Sequence, residues 1–382
     1  EQTREERNGT ANVTTLRAGQ GEVAAVHGAN QAVLDGFSIS GGTERGVDCY
    51  AASPVLIHCV IRQNGGCGVY CAREGSRPQL IDCRIIANTG GGVICQESSS
   101  PRLDRCEIAR NTGANAGGLL CETASKPELT DCVIRENAAP NGGGILCTQA
   151  SPTFERCTIT GNAATGEGGG GVYCQNQANP KFNHCLISGN AGAAGGGLFL
   201  NGSSPRLTHC ILAGNQARND GGGIIAFNNS RPFINNCTIT GNQGGTDYQN
   251  SSYYSGGFSG DDNSRFTLTN SIVWDNRPME FNGKGWITYS DVRGGASGTG
   301  NIKTDPLFIK PWDGKEADVH LRADSPCVDA GDPSGAFNDA ALPPGLGTAR
   351  CDMGAYGGPE NSLWPVTIEP ARPVDVPLWM LF

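Results

Sequence analysis

Hydrophobic residues in this chain come in short runs of three to five at near period-two spacing, separated by polar and glycine-rich stretches. Nowhere is a 3.6-residue period sustained, so strands are expected and helices should be few. The runs recur at a fixed interval, and cysteine marks it. Cys59, Cys83, Cys106, Cys132, Cys157, Cys185, Cys210 and Cys237 stand 23 to 28 residues apart. Five residues before each is a proline (Pro54 to Pro232), and three before each a large apolar residue (Leu56 to Ile234). Two after comes Ile or Leu (Ile61 to Ile239), and five after an asparagine (Asn64 to Asn242). A ninth copy places Leu268, Val273 and Asn276 around Ser271 in the cysteine's position, and a degenerate tenth precedes them all at Leu34, Phe37 and Ile39. A second set, Cys49, Cys71, Cys95, Cys121, Cys147 and Cys174, lies 10 to 12 residues ahead of the first.

The unit reads S-P-x-L-x-x-C-x-I-x-x-N, a glycine-rich loop, then G-G-[VIL]-x-C. Strands this short cannot bury a face alone. Stacking one coil on the next, about 4.8 Å away, builds continuous sheets and lines up equal residues in vertical files. Leu, Cys and Ile should fill a narrow interior. Asn and Gly should take the bends, where φ turns positive or side-chain amides bond along the stack.

These columns resemble the right-handed parallel β-helix repeat family, the pectate-lyase-like solenoids, over residues 30 to 276. The resemblance implies an all-β, right-handed parallel β-helix of about ten coils with an irregular C-terminal cap. After Asn276 the register fades. Tyr289-Ser-Asp-Val-Arg-Gly-Gly295, Asp305-Pro-Leu-Phe308, Ser325-Pro-Cys-Val-Asp-Ala-Gly-Asp332 and Asp352-Met-Gly-Ala-Tyr-Gly357 resemble the tail module of bacterial secreted or surface β-helix proteins. The expected division is first strands and N-terminal cap over 1–29, repeats over 30–286, a cap module over 287–358 and a proline-rich extended tail over 359–382. The module's expected role is to cover the last open rung.

Composition narrows the function classes. Glycine (57) and proline (21) make up about a fifth of the 382 residues, and 17% are charged, which excludes a coiled coil or a charged disordered chain. A net charge of −9 argues against nucleic acid and anionic membrane as partners. No apolar run approaches the ~20 residues of a transmembrane helix. The chain begins at Glu1 without a signal peptide, as a mature exported protein would, so an extracellular or cell-surface location is expected.

Seventeen cysteines raise a metal or redox array, but no C-x-x-C occurs and Leu200 and Ala226 continue the second column where cysteine stops. Packing of small apolar side chains is the preferred reading. Outside the columns, Cys327 and Cys351 are a disulfide candidate. Asp329, Asp332 and Asp352 offer oxygen ligands for calcium, or act as turn residues beside glycine with no metal. The position before each ladder cysteine runs His58, Asp82, Arg105, Asp131, Arg156, His184, His209, Asn236. Its alternating charges suit pairing between stacked strands better than acid–base catalysis, and His184 and His209 read as turn residues rather than metal ligands.

A longer interval follows Cys237, and its insertion offers Tyr248, Tyr253, Tyr254 and Phe258 for stacking on sugar faces, with Asp261 and Asp262 for hydroxyls. The apolar tip Leu378, Trp379, Met380, Leu381 and Phe382 is a candidate for self-association, as an extended strand given to a neighbouring copy. The leading expectation is a non-enzymatic exported structural solenoid that assembles with copies of itself through its ends or its tail. The alternatives are a polysaccharide lyase or glycoside hydrolase of the pectate-lyase-like fold, and a carbohydrate-binding adhesin. No cofactor is expected beyond the calcium candidate.

Overall fold

The computed structural model describes residues 14–245, 254–313, 318–340 and 345–363. The repeat forms a parallel β-solenoid with three strands per coil, and a two-residue fourth strand in four of the coils, from Ala138–Ala139 to Gln216–Ala217. Sheet 1 has twelve strands, from Thr14–Arg17 to Asp291–Val292, and carries the C-x-I columns. Sheet 2 has eleven, from Ala24–His27 to Phe281–Asn282, and carries G-G-[VIL]-x-C. Sheet 3 has eleven, from Val33–Asp35 to Lys284–Thr288, and carries P-x-L. The files are in register as the repeat demands: Ile61 pairs with Ile85 and Ile85 with Ile108, Leu80 with Leu103, Cys95 with Cys121. Among the described residues, helix is confined to the 3₁₀ turns Gly335–Phe337 and Asn361–Leu363.

The solenoid outruns the repeat at both ends. Thr14–Arg17 already pairs with Phe37–Ser40, so the strands before residue 30 form a first coil. At the far end Ile287 and Val292 still lie in the core cluster. Residues 294–302 then close part of the last coil, with Tyr289 N donating to Thr299 O (2.8 Å) and Asn301 Nδ2 to Ile287 O (2.9 Å).

Polar files hold the stack as firmly as apolar ones. Asn137 Nδ2 donates to Asn162 Oδ1 in the next coil (3.0 Å) and to Ile108 O in the previous one (2.9 Å). Its Oδ1 accepts both Asn111 N and Asn111 Nδ2 (2.9 and 3.0 Å). The pattern repeats from Asn64 to Asn276, where Glu280 Oε2 accepts the last Nδ2 (2.6 Å). Positive φ belongs to the residue before the asparagine, as at Ala87, Arg110 and Glu136 (54–55°), rather than to the asparagine itself.

All seventeen cysteines are buried and free, Cys327 and Cys351 included. The two files differ in kind. In the first, Cys106 Sγ donates to Asp104 O and Leu80 O (3.4 Å each), and Cys132 Sγ accepts Cys106 N (3.4 Å). Ser271 and Ser290 continue that file with the same bonds: Ser271 Oγ accepts Cys237 N (3.1 Å) and Ser290 Oγ accepts Ser271 N (3.1 Å). These cysteines are hydrogen-bonding turn residues as well as filler, a role the serine substitution signals in the sequence. The second file is apolar, and Leu200, Ala226 and Gly260 succeed Cys174 in it. Burial pushes the Cys174 thiol well above its ordinary range, so it behaves as a hydrophobe.

The C-terminal module does more than cap. Beyond residue 302 it lies along the flank of the solenoid. Phe308, Val319, Cys327, Met353, Ala355 and Tyr356 pack on Ile211, Ala213 and Ile272, the outward side chains of sheet 1. Ala355 N donates to Thr238 Oγ1 (3.1 Å) and Gly354 N to Asn270 O (2.8 Å).

Candidate functional site

The position before each ladder cysteine is a one-residue bend between sheets 3 and 1. All eight residues from His58 to Asn236 hold φ of 47–53° there. Left-handed backbone at non-glycine residues costs roughly 1 kcal/mol each, and asparagine and aspartate tolerate it best. The bend throws successive side chains outward in one file. Arg105 meets Asp82 of the previous coil through two bonds (2.8 and 2.9 Å), and Arg156 meets Asp131 likewise (2.8 and 3.0 Å). The Arg105 guanidinium holds the Asp82 carboxyl below its ordinary range. His58 Nδ1 lies 3.0 Å from Asp35. On the adjoining outer face of sheet 1, Glu107 sits between Arg84 (2.7 Å) and Arg135 (2.5 Å). Burial raises Glu107, but the two guanidinium groups outweigh it and leave the carboxyl lowered. The acids and bases that sequence offered for catalysis are thus held by one another, in bidentate pairs down the stack.

Where the module docks, the same file turns inward-facing. His184 and His209 stack with centroids 4.7 Å apart and planes 5° from parallel, each 1% exposed. His184 Nε2 lies 2.9 Å from Glu360 O, and its Nδ1 is 3.6 Å from Glu155. Asn236 Nδ2, next in the file, donates to Asp352 O (3.3 Å). Burial, reinforced by the neighbouring His184, drives His209 down to about 3. Both histidines are turn residues under a lid.

The module's aspartates cap its own loops. Asp352 accepts Asp329 N (2.7 Å) and Leu346 N (2.8 Å), and burial raises it to about 7 despite those bonds. Asp329 accepts Thr348 N (2.9 Å) and Thr348 Oγ1 (2.6 Å), and Asp332 accepts Ser334 N (2.9 Å). Among the described residues no group of three or more His, Cys, Asp or Glu is arranged to hold a metal ion. Cys327 and Cys351 do not face each other as a bonded pair. Cys327 Sγ donates to Asp291 Oδ2 (3.2 Å), and Cys351 Sγ to Asp352 O (3.1 Å).

Of the insertion's six named residues, Tyr248 and Tyr253 lie outside the described residues, as do Leu378 to Phe382. Tyr254 packs over Gly245. Phe258 requires a correction: it is 3% exposed, pairs with Ile224 in sheet 2, and its ring meets Phe266 at 4.2 Å. It fills the core because Gly260 follows it in the cysteine position and leaves the space a side chain would take. The segment Gly256-Gly257-Phe258-Ser259-Gly260 is therefore a G-G-[VIL]-x-C unit in disguise. Asp261 accepts Asn228 N (2.9 Å) and Ser264 N (2.7 Å), and Asp262 pairs with Lys284 (2.7 Å).

Sequence reasoning missed one cleft, of about 310 Å³, between module and solenoid. It is lined by Gln216, Gln243, Asp275, Arg277, Trp312 and Asp313. Trp312 lies on Gly214 and Gly241, both at φ 63°, where any β-carbon would run into the indole. Next to that ring the file of residues after the asparagines changes from Ala138, Ala163 and Ala191 to Gln216, Gln243 and Arg277. That change from alanine to long polar side chains is the signal the sequence did carry.

The profile of the family described as "Right handed beta helix region" matches residues 22–167 and 144–301, most of the chain. No curated protein matches it. Among solved structures, that of pectate lyase Pel9A aligns over 90% of this chain and 87% of its own, at 13% identity and a TM-score of 0.37. A likeness that low bears on no question of activity.

Proposed function

We propose, starting from the fact that this chain belongs to the right-handed β-helix family, that it is a non-enzymatic structural solenoid working outside the cell or on its surface. The observation that carries the reading is the pairing down the outer files: Asp82 with Arg105 and Asp131 with Arg156 in the bend, and Glu107 between Arg84 and Arg135 on the adjoining face of sheet 1. A general base needs a basic carboxylate turned towards substrate, and carboxylates clamped at both oxygens by guanidinium groups of the same stack are held in place, with Asp82 and Glu107 made less basic as well. What those pairs supply is coil-to-coil register. The test is incubation with acidic polysaccharides, followed for unsaturated ends by ultraviolet absorbance and for new reducing ends. No product is expected. Steady product formation that Arg105→Ala or Arg156→Ala abolishes would replace this reading with a lyase.

A second reading, saccharide binding, is favoured by the Trp312 cleft. An indole edge flanked by two carboxamides, a guanidinium and two carboxylates offers an apolar platform with hydrogen-bonding groups around it. Both readings hold at once if the solenoid is a scaffold that also grips a glycan. Tryptophan fluorescence titration with neutral and acidic oligosaccharides, in wild type and Trp312→Ala, tests the second: saturable change lost in the variant supports it, and no change in either discards it.

A further inference from the structure

Gln216, Gln243 and Arg277, in the cleft beside Trp312, hold the same place in successive coils, joined as parallel bridges and so about 4.8 Å apart. All three are exposed. Among the described residues, none of their side-chain amide or guanidinium groups has a hydrogen-bond or ion-pair partner. The acids of the cleft are different. Asp275 is bound by Arg293, and Asp313 by Lys310 (3.2 Å). Arg277 therefore leaves the cleft with an uncompensated positive charge, in a chain whose net charge is −9. In the bend and on sheet 1, by contrast, Arg84, Arg105, Arg135 and Arg156 are each answered by a carboxylate. The indole lies across two coils next to this file, its six-membered ring against Gly214 and its five-membered ring against Gly241. At about 310 Å³ the cleft stands at the small end of ligand sites, which suits a mono- or disaccharide unit rather than a long chain. Trp312 and Asp313 lie beyond residue 301, where the family profile ends, so the cleft is no part of what that profile describes.

We propose that the cleft takes a short anionic saccharide, with a sugar ring on the Trp312 indole, the carboxamides of Gln216 and Gln243 on its hydroxyls, and its carboxylate or sulfate group on Arg277. This rests on the saccharide reading of the cleft and gives the ligand its charge and size. A guanidinium presents a planar fork of N–H donors that matches either anion with two parallel bonds. A carboxamide both donates and accepts, as a sugar hydroxyl does, so the two glutamines meet either role.

The experiment titrates the whole chain with galactose disaccharides, one uncharged, one with carboxylates at C6 and one with a 6-sulfate, and follows tryptophan emission and the heat of binding. At least one charged sugar is expected to bind about tenfold or more tightly than the uncharged one, and the stronger of the two identifies the anion. Arg277→Gln is expected to keep the fold and Tm, since the side chain is exposed and unpartnered, and to remove that preference while leaving the uncharged sugar's affinity unchanged. Sodium chloride reads the same charge without a substitution: raising it should weaken the charged sugar and spare the uncharged one. Uncharged sugar bound as tightly as charged, or a preference that survives Arg277→Gln, overturns the proposal and leaves the saccharide reading standing. Inorganic sulfate that competes as well as the sulfated sugar, or no binding of any disaccharide, overturns both.

Discussion

Replacing His209 by asparagine should remove a defined part of the protein's acid sensitivity. The ring is 1% exposed, stacked on His184 and covered by the module at Glu360. Its folded value is about 3, because burial and then the His184 ring disfavour its charged form. In the unfolded chain a histidine titrates near 6.5. Below that value the unfolded state binds the proton the folded state refuses, so stability is fully present above pH 6.5 and is lost as pH falls towards 3. Between pH 7 and 5 that loss is about 2 kcal/mol for this ring. Other groups oppose it: burial raises Glu280 and Asp352 to about 7 and Asp291 to about 6, and each adds stability as pH falls. The comparison must therefore be between wild type and variant at each pH. Asparagine is the conservative choice, since Asn236 fills the same bend one coil on at φ 47°. Guanidinium unfolding at pH 7, 6 and 5 should show His209→Asn less stable at pH 7, from lost stacking. Its deficit should shrink, or reverse, by about 2 kcal/mol at pH 5. A deficit that is constant across the three pH values would refute the reasoning, since it would mean the ring gains a proton freely in the folded state.

Further outcomes follow from the polar files. Glu280→Gln should stabilise the protein at pH 8.5 to 9 by up to about 3 kcal/mol and have little effect near pH 4, because the raised carboxyl contributes stability at low pH and loses it as pH rises through about 7; chemical denaturation across that range measures it. Asn137→Ala should cost at least about 3 kcal/mol, as it strands Asn111 N, Asn111 Nδ2 and Ile108 O inside the stack. Cys157→Ser should cost less than Cys147→Ser by about 1 kcal/mol or more, because the first file bonds its side chains to backbone and already accepts Ser271 while the second is apolar; equal costs would contradict the distinction. Gly241→Ala should loosen Trp312 from the solenoid, seen as a shift of tryptophan emission and faster proteolysis after residue 303.

Much of this was legible in the sequence because a solenoid repeats its contacts. Leu80, Leu103 and Leu129 touch in the fold since they occupy the same place in successive units, so a column of letters is already a contact map. The first cysteine file's hydrogen bonds were readable too, once Ser271 is taken as a substitution that preserves a polar role. Phe258 was misplaced because the insertion shifted the interval and Gly260 hid the cysteine position. The docked module left no trace of this kind. His184 meets Glu360, and Asn236 meets Asp352, across more than a hundred residues with no periodicity to align them. The Trp312 cleft is hidden for the same reason, since the solenoid supplies most of its lining and the module supplies Trp312 and Asp313.

Native-state hydrogen exchange tests most directly whether stacked side-chain amides hold the coils together. The backbone amides of Asn88, Asn111, Asn137, Asn162, Asn190 and Asn215 each donate to the asparagine one coil on, at 2.9 to 3.1 Å. They should be among the slowest to exchange and should exchange together, at the free energy of global unfolding. Exchange at those positions as fast as in the exposed loops between them would contradict the account.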